Sequence, residues 1–295
     1  MPCASRERCP DVPPRRLAAL GLAGVLALLS GLAGCAGRDD RPDVILITVD
    51  TLRADRLGVY GDDNVATPVI DGLATRGVRF TRVSAVTPVT LPSHASLMTG
   101  RYPSSHGVRN NGTFRLADEE VTLAETLAAS GWHAEAVVGA VVLAARYGLR
   151  QGFVSYDDAF EPNGRGERRA AEVTDAALTR IESVDRSDPL FLWVHYFDPH
   201  ASYEPPAPFD ANVDRYRGEI EYTDHEIGRL LDGLERAGRL ENALIVLVAD
   251  HGEAFGEHGE THHGLFVYEP TVHVPMIVAW PCLLYTSPSP RDSLH

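Results

Sequence analysis

The chain has 295 residues, of which 44% are hydrophobic and 23% are charged, a composition typical of globular proteins. Its length suits one large α/β domain or two small ones. The formal net charge at pH 7 is −14, which argues against nucleic acid as a partner. All 27 basic residues are arginine, so functions that need a lysine side chain are excluded.

The first 35 residues have the pattern of an export signal. A basic start, RERCPDVPPRR, precedes the apolar stretch LAALGLAGVLALLSGLAG, which ends at Cys35 in LAGC. We expect a bacterial lipoprotein signal peptide over residues 1–35, lipidation of Cys35 and a linker over residues 36–42. The alternative is an uncleaved anchor, because about 18 apolar residues nearly span a bilayer. Both predict an exported, membrane-anchored protein, periplasmic or at the cell surface.

The first and last predicted strands bound a domain over residues 43–281. Its final run, HVPMIVAWP, predicts a buried strand, whereas residues 282–295 show no periodicity. This tail resembles the translated adapter sequence that ends some metagenomic reading frames, so we expect a non-native tail after an incomplete domain. A disordered C terminus is the alternative. All four cysteines lie in the signal or the tail, and we expect no disulfide.

Four short apolar runs predict strands that are buried on both faces. They are DVILITVD (43–50), HAEAVVGA (133–140), LFLWVHYF (190–197) and ALIVLVAD (243–250). Helical patterns lie between them, in TLAETLAASG, ERRAAEVTDAALTRIESV and RYRGEIEYTDHEIGRLLDGLERAG. This alternation predicts an α/β fold, an α/β/α sandwich around a largely parallel sheet.

Polar side chains follow three of these strands. Asp50 ends the first strand, His195 and Asp198 end the third, and Asp250 with His251 ends the fourth. Open α/β sheets bind ligands outside the carboxyl ends of their strands. Carboxylates with one imidazole suit a divalent ion, so Asp50, Asp250 and His251 predict one site for Ca, Mn, Mg or Zn.

The stretch SHASLMT, residues 93–99, predicts a short helix. Pro92 suits its first turn and Gly100 suits the position after its last residue. Thr90 then lies in or beside the turn that precedes the helix N terminus, where free N–H groups favour the anions that a hydroxyl nucleophile and its ester bring together. The alternative is that Thr90 or Ser93 caps the helix, and spacing alone favours that alternative.

Four blocks in the chain, taken in order, resemble the N-terminal domain of sulfatases in the alkaline phosphatase superfamily. They are DVILITVDTLRADRLGVYG, TLPSHASLMTGRYPSSHGV, HYFDPHASYEPP and DHGEAFGEHG…HHGLFVYEPTVHVPMIV. The resemblance extends from Asp43 to Pro281. It implies a sulfatase-like fold and a metal-dependent hydrolase whose substrate is a small-molecule or glycan ester of sulfate or phosphate.

The sulfatase signature C-x-P-S-R-x-x-L-x-T-G falls on residues 90–100. The resemblance thus places Thr90 at the nucleophile position, where it is also a metal ligand, and His94 at the position of the arginine. Sulfatases carry cysteine or serine there and oxidise it to formylglycine, an aldehyde that threonine cannot form. His263 holds the position of a sulfate-binding lysine.

The metal-binding positions of the family also differ in this chain. The paired aspartates become Asp50 and Thr51, and the later Asp-Asn pair becomes Asp250 and His251. With Thr90, this set is similar to the single-metal site of lipoteichoic acid synthases and phosphoethanolamine transferases, which use an unmodified threonine. We therefore expect a covalent intermediate on Thr90.

Several polar residues remain as candidates for the other steps. His200 or His263 is expected to protonate the leaving oxygen, and His94, Asn111 and His195 to orient the anion. Asn111 in RNNG has a turn residue as its alternative. Of the rest, we interpret His258 and His262 as solvated loop residues, His106 as a partner of a buried backbone group, and Asp55 as a partner of Arg53 or Arg56.

Two alternatives to an ester hydrolase stay open. One is a phosphoryl or phosphoglycerol-type transferase that acts on envelope components through the same intermediate. The other is an inactive binding lipoprotein.

Overall fold

The computed structural model describes residues 41–160 and 166–280. The predicted signal peptide with Cys35, most of the predicted linker and the predicted tail lie outside the described residues. Within the described ranges, no helix is both long enough and apolar enough to cross a membrane.

The strands of the described residues form one mixed sheet. They are β1 (Asp43–Val49), β2 (Val78–Phe80), β3 (His133–Val138), β4 (Ser155–Asp157), β5 (Leu190–Tyr196), β6 (Ala243–Ala249) and β7 (Met276–Ala279). Their order is β2-β7-β6-β1-β5-β3-β4. Strands β6, β1, β5, β3 and β4 run parallel, whereas β7 is antiparallel to β6 and β2 to β7.

The predicted strands are confirmed as β1, β3, β5, β6 and β7. Strands β2 and β4 were not predicted, because three residues are too few to show a period of hydrophobicity. Both lie at the edges of the sheet, where a short strand is sufficient.

The α-helices lie between the strands, as the alternating pattern predicts. They are α1 (Pro68–Thr75), α2 (Thr90–Thr99), α3 (Pro103–His106), α4 (Leu123–Ala129), α5 (Ala170–Ser183), α6 (Arg215–Arg236) and α7 (Glu269–Val272). Single 3-10 turns occur at Ala54–Arg56, Gly58–Tyr60, Val141–Leu143, Ala145–Tyr147, Phe209–Ala211 and Glu257–Gly259.

Helices cover both faces of the sheet, which confirms the predicted α/β/α sandwich. Ile45 and Ile47 of β1 belong to one apolar cluster with buried residues of α5 and α6. Leu46 points the other way, because successive strand residues alternate between faces, and it shares a second cluster with Leu91 and Ala95 of α2.

The register of the parallel strands sets where the polar residues emerge. Thr48 of β1 stands opposite His195 of β5, and the last residues of β1 and β6 stand opposite each other. Asp50 and Asp250 each follow their strand by one residue and therefore lie side by side. By alternation, these residues lie on the face of the sheet that α2 covers.

Candidate active site

Thr90 is the first residue of α2, and its hydroxyl points out of the helix. The N-cap position is Val89, which makes no side-chain capping hydrogen bond. The Thr90 Oγ1 lies 3.3 Å from His251 Nε2, and Ser93 Oγ donates to the carbonyl of Asp250 at 2.7 Å. Both hydroxyls therefore bond to the loop after β6, which excludes the capping alternative for either residue.

His251 presents a lone pair to this site. Its Nδ1 lies 3.0 Å from the carbonyl of Gly252, which only accepts, so Nδ1 donates and Nε2 is unprotonated in the neutral ring. Burial lowers the pKa of His251 well below its ordinary value, and His263 lowers it further. The imidazole is therefore neutral, as metal ligation requires.

Two buried carboxylates face His251 Nε2. Asp50 Oδ1 lies 3.6 Å from it and Asp250 Oδ2 lies 3.4 Å from it. Both oxygens of Asp50 and Oδ2 of Asp250 have no hydrogen-bond partner among the described residues. Burial raises the pKa of both groups well above the usual range, and for Asp50 the neighbouring Asp250 and Glu253 raise it further. Buried carboxylates without partners are costly, and a bound cation would satisfy them.

The residues present fit a divalent cation. Ligands about 2.0–2.2 Å from one ion lie roughly 3–4 Å from one another, which matches the separations around His251 Nε2. Asp50, Asp250 and His251 are the predicted ligands, and the Thr90 hydroxyl borders the same position. The geometry does not discriminate among Ca, Mn, Mg and Zn.

Thr51 is not part of this cluster, although it holds the position of a family aspartate. Its φ of 53° is unusual for a β-branched residue and marks local backbone strain. Its hydroxyl donates to the carbonyl of Pro199, and its backbone N–H donates to Asp250 Oδ1 at 3.3 Å. The strained turn therefore orients Asp250 and leaves Asp50 as the one carboxylate after β1.

His94 is fully enclosed, with both ring nitrogens engaged. Nδ1 donates to the carbonyl of Thr90 at 2.8 Å, and Nε2 lies 3.2 Å from the Thr48 hydroxyl, which also accepts from Trp193 Nε1. Burial lowers the pKa of His94 to about 4, so the ring is neutral. This arrangement suits positioning of the first turn of α2 rather than proton exchange with a substrate.

Asn111 and His200 lie beside the cluster and make backbone contacts of their own. Asn111 Oδ1 accepts from the backbone N–H of Leu91 at 2.8 Å and so fixes the start of α2. His200 stacks on Phe197, and its Nδ1 donates to the carbonyl of Ala201 at 2.8 Å. The Nε2 of His200 is left for other contacts.

His263 lies next to the predicted ligands. Its ring centroid is 4.4 Å from that of His251 and 5.4 Å from that of His200. Nδ1 lies 3.1 Å from Oε1 of Glu253, a fully buried carboxylate. The three histidines predicted from different parts of the chain, 200, 251 and 263, thus come together.

Glu253 is the functional residue that the sequence did not reveal. Besides His263, it accepts from the Tyr203 hydroxyl at 3.0 Å. Burial raises the pKa of Glu253, but the hydrogen bond and charge of His263 outweigh it, so the pKa lies below the usual value. Arg53 donates to the carbonyl of Glu253 and anchors the loop. The available signal was the acid two residues after the ligand pair, in DHGE.

Other polar residues lie away from the cluster. Asp198 follows β5 as predicted, but its carboxylate is not part of the cluster, because Oδ2 accepts from the N–H of Ala170 at the start of α5. Asp55 pairs with Arg53, as predicted. His106 accepts from the N–H of Val108, as predicted for a structural histidine.

Both predicted loop histidines are exposed. His258 stacks on Tyr268. Neither histidine is in the cluster.

The sheet and the helices on both of its faces define an α/β/α fold of the alkaline phosphatase type. The sequence profile of the Sulfatase family matches residues 42–284. The chain therefore belongs to the sulfatase family, a family of sulfuric ester hydrolases that typically bind a divalent metal.

Known proteins resemble the chain over most of its length. The ulvan-active sulfatase of Formosa agariphila is 28% identical over 293 residues, covering 82% of this chain and 56% of that protein. The chain thus spans little more than half of that relative.

Solved structures share the fold. The phosphonate monoester hydrolase of Agrobacterium radiobacter gives a TM-score of 0.69 at 20% identity, covering 82% of this chain and 68% of that one. A structure in complex with its substrate D-glucosamine-2-N,6-O-disulfate gives a TM-score of 0.70 at 19% identity, covering 82% and 72%.

Proposed function

We propose that this chain is a divalent-cation-dependent hydrolase of sulfate or phosphate esters that acts through a covalent intermediate on Thr90. The observation that carries the proposal is the position of the Thr90 hydroxyl. It lies at the N terminus of α2 and 3.3 Å from His251 Nε2, beside two buried carboxylates with unpartnered oxygens. A hydroxyl nucleophile here has cation ligands on one side and helix N–H groups on the other.

One divalent cation would be held by Asp50, Asp250, His251 and Thr90. When bound, it supplies Lewis-acid stabilisation of the Thr90 alkoxide and of the ester oxygens. The chain's own contribution is to hold these four groups together on the edges of two adjacent parallel strands and one helix.

The reaction has two steps in this proposal. Thr90 releases its hydroxyl proton to solvent as Oγ1 bonds to phosphorus or sulfur. The bond to the leaving oxygen breaks, and that oxygen takes a proton from a histidine, which later regains one from solvent. Water then opens the Thr90 ester and frees the enzyme. We assign the proton donor to His263, because its Nδ1 lies 3.1 Å from the buried carboxylate of Glu253, which holds the ring beside the Thr90 site, whereas the Nδ1 of His200 donates to a backbone carbonyl.

The unmodified threonine favours phosphate over sulfate esters. Threonine cannot form the aldehyde whose hydrate expels sulfate, so a sulfated Thr90 must be opened by water at sulfur. A phosphorylated Thr90 opens more readily at phosphorus. The fold likeness to a phosphonate monoester hydrolase is compatible with this preference.

The relatives support a proposal for the substrate class. One is an ulvan-active sulfatase, and a solved structure of the same fold holds its substrate D-glucosamine-2-N,6-O-disulfate. We propose a sugar or small-molecule ester as the substrate here, met outside the cytoplasm by a protein anchored through Cys35.

A phosphoryl or phosphoglycerol-type transferase is the second candidate. It is favoured by the same observation, because an unmodified threonine intermediate can pass its phosphoryl group to an alcohol as well as to water. Release of free phosphate in the presence and absence of a glycerol acceptor distinguishes the two functions.

A panel of matched aryl esters tests the proposal. Protein loaded with Mn²⁺ is assayed on para-nitrophenyl phosphate, a para-nitrophenyl phosphodiester and para-nitrophenyl sulfate. We expect hydrolysis of a phosphorus ester and a loss of at least about 10³-fold in Thr90→Ala, by analogy with other nucleophile deletions. Thr99→Ala is the control, because its hydroxyl on the same helix bonds to the Ala95 carbonyl.

Two results would contradict the proposal. Activity on the sulfate alone overturns the preference for phosphorus. Equal properties of the wild type and Thr90→Ala on every ester support the inactive binding lipoprotein instead.

A further inference from the structure

His195 has an environment that the proposed reaction does not explain. The side chain is fully buried, and neither ring nitrogen has a hydrogen-bond partner among the described residues. Its Nε2 lies 3.7 Å from Oδ2 of Asp50, and its ring packs edge-on against His94 at 4.8 Å. A buried imidazole without a partner is costly, so a partner is expected close by.

The two oxygens of Asp50 face two different imidazoles. Oδ1 lies 3.6 Å from Nε2 of His251, which bears a lone pair, so this side belongs to the cation. Oδ2 lies on the side of His195 and is also unpartnered. Oδ2 of Asp50 therefore needs an N–H donor.

The strand register makes this contact easy to complete. Thr48 stands opposite His195 in the parallel pairing of β1 with β5, so the ring lies beside the end of β1. An ordinary N–H···O hydrogen bond is about 2.9 Å long, so a shift of less than about 1 Å closes the gap to Asp50. Small side-chain rotations on cation binding are sufficient.

A second cation between His195, His94 and Asp250 is the competing interpretation, because these three groups also lie close together. Both nitrogens of His94 are engaged, however, with the Thr90 carbonyl and the Thr48 hydroxyl. His94 has no lone pair left to give to a metal ion. The contact between His195 and Asp50 is therefore the better interpretation.

We propose that His195 is a positioning residue of the cation site, and that its Nε2–H donates to Oδ2 of Asp50 and so holds Oδ1 toward the cation. The inference rests on the cation site of the proposed function. Ligating carboxylates and histidines commonly depend on such outer hydrogen bonds, whose removal typically costs 10–100-fold in metal affinity.

Calorimetric titration with Mn²⁺ tests the inference with two variants of His195 whose side-chain amides differ in length. In His195→Gln the amide N–H takes roughly the place of Nε2 and can still donate to Asp50. In His195→Asn the amide is one bond shorter and falls short. We expect one Mn²⁺ per wild-type chain, affinity within about threefold of wild type for the glutamine variant, and a loss of about 10–100-fold for the asparagine variant.

His106→Gln is the matched control, because His106 is another buried histidine whose partner is Ser96 rather than Asp50. It should bind Mn²⁺ as the wild type does. Thermal unfolding of each variant without metal separates lost packing from lost affinity, since packing alone lowers the unfolding temperature of both His195 variants alike.

Four results would overturn the inference. If His195→Asn binds Mn²⁺ with wild-type affinity, His195 serves only in packing. If both variants lose Mn²⁺ affinity equally, His195 does not act as a hydrogen-bond donor to Asp50. If the wild type binds two Mn²⁺ ions and either variant binds one, His195 is a ligand of a second cation. A wild type that binds neither Mn²⁺ nor Zn²⁺ instead overturns the cation site and the proposed function with it.

Discussion

Two pairs of buried acidic residues differ in the partners that the protein gives them: Asp198 with Glu219 of α6, and Asp50 with Asp250. Asp198 and Glu219 accept backbone N–H groups from Ala170, Glu204 and His200. The guanidinium of Arg169 lies 3.5 Å from Asp198 and 3.7 Å from Glu219. This pair is therefore satisfied by the protein itself.

Asp50 and Asp250 are less well satisfied, since only Oδ1 of Asp250 accepts backbone N–H groups, from Thr51 and His251. Three of their four carboxylate oxygens have no hydrogen bond within the described residues, and no arginine pairs with either group there. Arg169 balances the charge of the first pair, whereas the second pair faces imidazoles. The pair of Asp50 and Asp250 can therefore accept a cation. Both pairs are buried, so the carboxylate oxygens without hydrogen-bond partners are what distinguishes the candidate site from a structural cluster.

Replacing one acid of each pair should give opposite effects on stability. Asp250→Asn removes one of two unpaired like charges, so its unfolding temperature without metal should rise. Its Mn²⁺ affinity should fall at least about 100-fold, since a ligand matters more than the outer partners that cost 10–100-fold. Asp198→Asn should lose about 1 kcal/mol of stability and keep its Mn²⁺ affinity. Calorimetry and thermal unfolding at pH 8 measure both, and the same sign in both variants would contradict the comparison.

Glu253 lies within the candidate site but, unlike Asp50, has side-chain partners, His263 and Tyr203. Glu253→Gln should lower hydrolysis of an alkyl ester about 10²-fold by disabling His263, and hardly affect a para-nitrophenyl ester, whose leaving group needs no proton. Tyr203→Phe is the control, since it removes the contact to Oε2 and keeps Oε1 on His263. Equal losses on both esters would exclude a role in leaving-group protonation.

Added cation should stabilise only the unsatisfied pair. Mn²⁺ at 100 times its dissociation constant contributes about 2.7 kcal/mol to folding. In a domain of this size the unfolding temperature should rise by roughly 5–10 °C. Asp198→Asn should show the same rise and Asp250→Asn none. Equal rises in both variants would place the bound ion elsewhere.

The smallest effect concerns pH and the satisfied pair. Burial raises the pKa of Glu219 to about 8, with Asp198 adding to it. An acid that holds its proton more tightly when folded contributes stability below the unfolded pKa of about 4.3, and this contribution is lost as pH rises through about 8. The unfolding temperature of the wild type relative to Glu219→Gln should therefore fall by a few degrees between pH 5 and pH 9. A difference that stays constant over this range would contradict the assignment.

The sequence was informative where strand periodicity decides the outcome. Asp50, Asp250 and His251 follow directly after long buried strands, and parallel strands deliver their ends to one edge, so their convergence could be predicted. Asp198 lies two residues past its strand, where the chain has already turned toward α5, and no period extends that far.

Contacts between loops could not be predicted from the sequence. Glu253 meets His263 and Tyr203 only because three loops fold over the same edge, and their backbone angles leave no periodic signal. The hydroxyl of Thr90 was equally ambiguous, since a helix cap and a nucleophile occupy the same place in sequence. Only the position of His251 discriminates between them.

The central claim is that the unmodified hydroxyl of Thr90 carries the transferred group. Protein loaded with Mn²⁺ can be mixed with a rapidly cleaved aryl phosphate, quenched in acid within the first turnover and digested for tandem mass spectrometry. The account predicts one phosphoryl group on Thr90 in the peptide that contains residues 90–101, and an unmodified threonine there before reaction. Turnover with the group on a histidine, or with no modified residue, would contradict it.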